Sequence, residues 1–246
     1  MTDFKPFFDS LDRAMAEEWD AIVKVNPFFN SLMDGLDDRR LLGVYLPEVY
    51  NTVKHSPITQ ALVVQRLVNP STTSLRYMAY CLRHALEEVG HEQMALNDLR
   101  SLGVDISNER MPPPTIATEA FTAYVYRLAT TGNPYQRLGY TYWAENCYAY
   151  FAPIAMAIVQ NMKLEAKNLT FFVQHGEIDK KHGEEVRKII AEVATTQADR
   201  DAIMAALRGT IRLQGAMLAE VHRTYELFIK GQAPQYDFAK VLGPAS

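Results

Sequence analysis

Six histidines and the carboxylates spaced around them are the side chains best suited to chemistry in this 246-residue chain. The stretch 175–182, HGEIDKKH, reads His-x-x-x-Asp-x-x-His. A helix advances about 100° per residue, so positions i, i+4 and i+7 point nearly the same way. His175, Asp179 and His182 therefore form a column of two imidazoles and a carboxylate. Such a column needs a metal ion, a buried polar network or water as its partner. Lys180, Lys181, Glu184 and Glu185 give the same helix a solvated face, while Phe171, Phe172, Ile178 and Val186 bracket the column with apolar side chains.

Two further groups extend the pattern. HALEEVGHEQ holds Glu88 and His91 at i and i+3, the spacing by which a bundle helix presents one carboxylate and one imidazole to a metal. His84 lies seven positions before His91, and Glu87 four before it. Glu145 is the lone acidic residue in an apolar and aromatic run from Leu138 to Val159. A carboxylate buried there without a partner costs several kcal/mol, so it needs a metal, a cation or a proton. Glu88, His91, Glu145, His175, Asp179 and His182 together give three imidazoles and three carboxylates. Mixed nitrogen and oxygen donors suit iron or manganese better than a structural zinc. Six donors exceed the needs of one redox metal with an open position and match two metals sharing carboxylates. Glu48 and His55, seven apart, each read as a seventh ligand or as a supporting or surface residue. His222, between Val221 and Arg223, reads as a surface side chain.

The elements that must position these residues are helical, because no stretch sustains period-2 alternation. Seven long helices are expected, near 4–25, 41–68, 72–102, 115–131, 135–162, 166–194 and 197–230, with a short helical turn at FFNSLM. Pro47 and Pro57 should kink or break the second, and Pro153 interrupts the fifth. Gly103 stops the third. The tail 231–246 reads as a surface strap or a disordered end. The expected architecture is a single all-α bundle over residues 1–246.

Composition narrows the function classes. With 48% hydrophobic and 22% charged residues, the chain can bury a sizeable core. Its net charge of −4, without a basic run, argues against nucleic acid or an anionic membrane surface as partner. No window suits a transmembrane helix, and MTDFKPFFDS does not read as a signal peptide. Cys81 and Cys147 read as two buried free thiols, and the expected location is cytoplasmic.

NPFFNSLMDG, EEVGH, NDLRSLG and HGEIDKKH carry a resemblance over about residues 20 to 230. The chain resembles the haem-oxygenase-like di-iron oxidases, or iron-containing redox enzymes, which share a seven-helix fold with haem oxygenase and the TenA and PqqC proteins. The resemblance implies a seven-helix haem-oxygenase-like bundle. It also implies two Fe(II) ions held by Glu88, His91, Glu145, His175, Asp179 and His182, with O₂ as co-substrate. The chain departs from members that take a further carboxylate near His55. The implied reaction is oxidation of a small amine- or carboxylate-bearing, amino-acid-like molecule: N-oxygenation, desaturation or oxidative cleavage. Tyr140, Tyr142, Trp143, Tyr148, Tyr150 and Phe151 either fill the core, as aromatics at helical spacing more often do, or line a pocket, and Arg76, Arg127 and Lys163 are candidate carboxylate binders. A homodimer and an external electron donor are the expected partners. Two other readings stand beside this one. One is a metal-free TenA- or PqqC-like enzyme with Cys147 as nucleophile, and the other a non-catalytic binding protein on the same scaffold.

Overall fold

The computed structural model describes residues 4–67, 71–107 and 111–244, with side chains described throughout except at 166 and 172–181. Its helices are α1 (Lys5–Val23), α2 (Pro27–Met33), α3 (Arg40–Val53), α4 (Ser56–Arg66), α5 (Thr72–Glu88) and α6 (Glu92–Ser101). There follow α7 (Ile116–Thr130), α8 (Arg137–Ala144), α9 (Tyr148–Asn161), α10 (Thr170–Val193) and α11 (Gln197–Ile229). Short 3-10 segments at Ala166–Asn168 and Pro234–Val241 complete the set. No strand occurs among the described residues, so the all-α expectation holds. None of their helices is long and apolar enough to cross a membrane.

Three expected long helices are each divided in two. The second divides at Lys54–His55, because Pro57 lacks an amide hydrogen and fits the first turn of a new helix. The third divides at Val89–His91, where Gly90 takes φ +95°, a left-handed conformation that a side chain disfavours. The fifth divides around Glu145 to Cys147, whereas the expected interruption at Pro153 lies inside α9. Two of these breaks fall on the candidate ligands themselves.

Helix α11 is the axis of the bundle and packs against α8, α7, α1 and α3. It opens with a capping box in which Thr196 and Asp199 satisfy each other's backbone amides. Leu207, Ile211, Leu218 and Val221 on it are fully buried, and each such side chain contributes about 2 kcal/mol of hydrophobic stabilisation. The tail is a packed strap, not a disordered end: Tyr236, Ala239 and Leu242 are buried, and the segment lies against α3.

Candidate metal centre

The end of α5, the end of α8 and the middle of α10 converge on one buried group. His84 and Glu88 lie one helical turn apart on the inner face of α5. Glu145 is the residue at which α8 ends, and His182 projects from α10. One donor atom from each of these four residues lies within 4.8 Å of all the others, and all four residues are buried. Gly183 lets α10 come this close to the α8–α9 break, since a Cβ there would sit 3.3 Å from Asn146 Oδ1.

Glu145 sits at the centre. His182 Nδ1 lies 3.2 Å from its Oε2, and His84 Nε2 lies 3.0 Å from its Oε1. Burial alone would raise the Glu145 carboxyl, but the contacts with His182 and His84 hold it down to about 2. The hydrogen bond to Glu145 raises His182 above the ordinary histidine value, against the effect of burial. The far nitrogen of His182, Nε2, lies 3.3 Å from Glu87 Oε2. His91 Nδ1 reaches Glu88 Oε1 at 3.3 Å, and this contact raises His91.

The fit of this group to a cation can be read from its hydrogen bonding. His84 Nε2 and Glu87 Oε2 are buried but make no aligned hydrogen bond. Buried polar atoms are nearly always paired. Two imidazoles and two carboxylates converging, with His84 Nε2 unsatisfied among them and Glu87 Oε2 unsatisfied beside them, form a mixed nitrogen and oxygen set that suits a transition-metal ion.

The sequence-derived candidates divide into three groups. Glu88, Glu145 and His182 come together as expected. His91 stands beside Glu88 across the Gly90 break, not on one continuous helical face, and lies outside the tight group of four. His175 and Asp179 belong to α10, but their side chains lie outside the described residues. His84 was missed as a donor, although its His-x-x-x-Glu spacing to Glu88 was the available signal.

The two possible seventh ligands are engaged elsewhere. Fully buried Glu48 accepts hydrogen bonds from Thr115 N at 3.0 Å, Thr115 Oγ1 at 3.1 Å and Tyr236 OH at 3.2 Å. His55 Nδ1 pairs with Tyr126 OH at 3.0 Å. His222 is half-buried beside Tyr225, not fully on the surface.

A cavity of about 390 Å³ opens beside the group, with Glu88 and Glu145 in its wall. Tyr140, Trp143, Tyr148 and Phe151 line it, the pocket reading of these aromatics, whereas Tyr142 is buried in the core and donates to Asp12 at 2.6 Å. Tyr150 packs against Trp19 and Trp143 outside the lining. No lysine, arginine or histidine is among the described lining residues. Arg76 pairs with Glu192 at 3.3 Å, and Arg127 lies over the Tyr124 ring. Neither they nor Lys163 face this cavity. Cys147 does, with its thiol 3.3 Å from the Ala144 carbonyl.

The likeness to solved structures runs along nearly the whole chain. A domain of unknown function with a heme oxygenase-like fold from Shewanella denitrificans OS217 is 38% identical, with 93% of this chain and 97% of that chain covered at a TM-score of 0.87. A TenA homolog from Pseudomonas syringae pv. tomato DC3000 is 12% identical over 88% of this chain and 93% of that one, at a TM-score of 0.70. A CADD-like protein of unknown function from Nostoc punctiforme PCC 73102 is 17% identical over 89% and 97%, at 0.65. The last two share the fold alone. No curated protein matches the chain. A profile of the iron-containing redox enzymes matches residues 44–215, and the chain belongs to that family, on a haem-oxygenase-like fold.

Proposed function

We propose that the chain is an O₂-dependent non-haem di-iron oxidase or oxygenase acting on a small, largely apolar molecule. The observation that carries this reading is the convergence of His84, Glu88, Glu145 and His182 at the wall of an aromatic cavity. Those four residues, with His91 and the α10 positions 175 and 179, would hold two iron ions. When bound, such ions supply O₂ binding and one-electron chemistry.

The chain's own residues do the rest. Glu145 stands between His84 and His182 and would offer one carboxylate oxygen beside each imidazole to help hold the metal. Gln60 orients His84: its amide nitrogen faces Nδ1, while its oxygen is buried without a partner. Turning that amide over lets Oε1 accept from Nδ1–H and satisfies the orphaned oxygen, which would leave Nε2 as the nitrogen available to a bound cation. Trp143, Phe151 and Tyr140 exclude water from the reacting face. The only charged side chains in the described lining are Glu88 and Glu145. An amine or neutral group therefore fits better than a carboxylate held away from the cluster.

Anaerobic Fe(II) loading followed by desalting and metal analysis tests the reading. About two iron ions per chain are expected, reduced sharply in Glu145→Ala. Retention of no transition metal sinks it. The metal-free alternative draws on Cys147 in the cavity wall, and there Cys147→Ala abolishes activity, whereas on the di-iron reading it leaves activity largely intact.

A further inference from the structure

The inner face of α5 carries Tyr77, Tyr80, Cys81, His84 and Glu88, all buried. Its outer face is unusual. Leu75, Leu82, Leu86 and Val89 are 50%, 53%, 75% and 65% exposed, and Ala79 between them is exposed as well. Val89 is the C-cap residue just past the helix, and the four positions before it are spaced 4, 3 and 4. That is the 3.5-residue repeat of a helix seam that packs against another helix. Each of the other exposed large apolar side chains among the described residues stands alone on its own element. Helices α4 and α10 pack along the flanks of α5 and leave this row open.

We infer that this face is the interface between two copies of the chain, with α5 paired antiparallel to its counterpart across a two-fold axis. The seam is self-complementary in that arrangement. Leu75 of one copy layers on Leu86 of the other, and Ala79 on Leu82, so the small residue at the centre lets the two helices approach. One flank, Met78 and Ala85, is apolar and half-buried. The other carries Arg76 beside Glu192 of α10 and Arg83 beside Glu185, at 3.3 and 2.9 Å. A two-fold axis turns this flank end for end. Arg76 of one copy then meets the Arg83–Glu185 pair of the other, giving each arginine a carboxylate across the interface.

The area suits a dimer. The four large seam side chains expose roughly 450 Å², the size of a functional patch and not of scattered apolar residues. With the flanking residues, the face approaches the ~800 Å² per partner of a specific interface. Pairing also braces the helix that carries His84 and Glu88 on its other side, yet the interface does not depend on metal.

Sedimentation equilibrium of the full chain from about 1 to about 100 µM tests this. The expected mass is twice the 27.9 kDa of one chain. The double variant Leu82→Glu and Leu86→Glu should weaken association at least tenfold while leaving the helical circular dichroism unchanged. Independently, Ala79→Cys with Leu82→Cys should give an oxidant-dependent covalent dimer that the native chain, with Cys81 and Cys147 only, does not form. A monomer throughout the range overturns the inference. So does a dimer that the glutamates leave intact or that the paired cysteines fail to cross-link.

Discussion

His182 and Glu145, 37 residues apart in sequence, meet at 3.2 Å in the buried centre of the bundle. The contact joins the middle of α10 to the break between α8 and α9, and both residues face His84 on α5. Glu145 is thus the tie between three helices. Glu145→Gln keeps the shape but leaves two imidazoles without their carboxylate. Breaking such a buried pair costs about 3 kcal/mol. A lower midpoint in denaturant titration of the metal-free protein, with unchanged m, checks this. Iron retained after loading should fall in parallel.

Gln60 is expected to act through His84. Gln60→Leu removes the partner of Nδ1 without touching a donor atom. Metal affinity should fall by about 10- to 100-fold, while the number of ions bound at saturation stays constant. Competition titration against a chelator separates the two quantities.

Gly183 sets how closely α10 approaches the Glu145 break. Gly183→Ala brings a Cβ to 3.3 Å from Asn146 Oδ1 and displaces His182 from Glu145. A loss of about 1 kcal/mol in stability, with weaker metal retention, is the expected outcome in thermal unfolding and metal analysis.

Asp38 governs part of the acid limb of stability. It accepts from Arg40 Nη2 at 2.6 Å and from Tyr225 OH at 3.0 Å. Burial alone would raise its carboxyl, but these bonds hold it below the ordinary 3.8. A depressed folded-state value means that the stabilisation is full above the unfolded value and is lost as pH falls through the folded one. Asp38→Asn should therefore cost about 2 kcal/mol at neutral pH, and its difference from the native chain should shrink below pH 3.8. Denaturant midpoints measured across that window check the sign.

Tyr236 ties the C-terminal strap to buried Glu48 through a 3.2 Å hydrogen bond. Tyr236→Phe should cost about 1 kcal/mol, a modest drop in melting temperature. Unchanged iron content would separate this contact from the metal centre.

The chain's own pattern determined that the fold is all-α, because helical periodicity follows from which side chains must be buried, and burial repeats every 3.6 residues. It also singled out Glu88, Glu145 and His182 as side chains that need partners, since a carboxylate in an apolar run and an imidazole column both demand them. Local periodicity assumes an unbroken helix, so it did not reveal that α5 ends at Glu88 or that α8 ends at Glu145. Those ends depend on Gly90 and on the close approach of α10 at Gly183. Nor could spacing rank His84 above His91. His84 stands before the Glu87–Glu88 pair and His91 after it, and only the packing of α5 on α8 and α10 decides which imidazole reaches Glu145. Glu48 looked equally eligible in sequence, yet the strap and Thr115 claim its oxygens. Tertiary structure made that choice because hydrogen bonds between distant segments form only once the helices have packed.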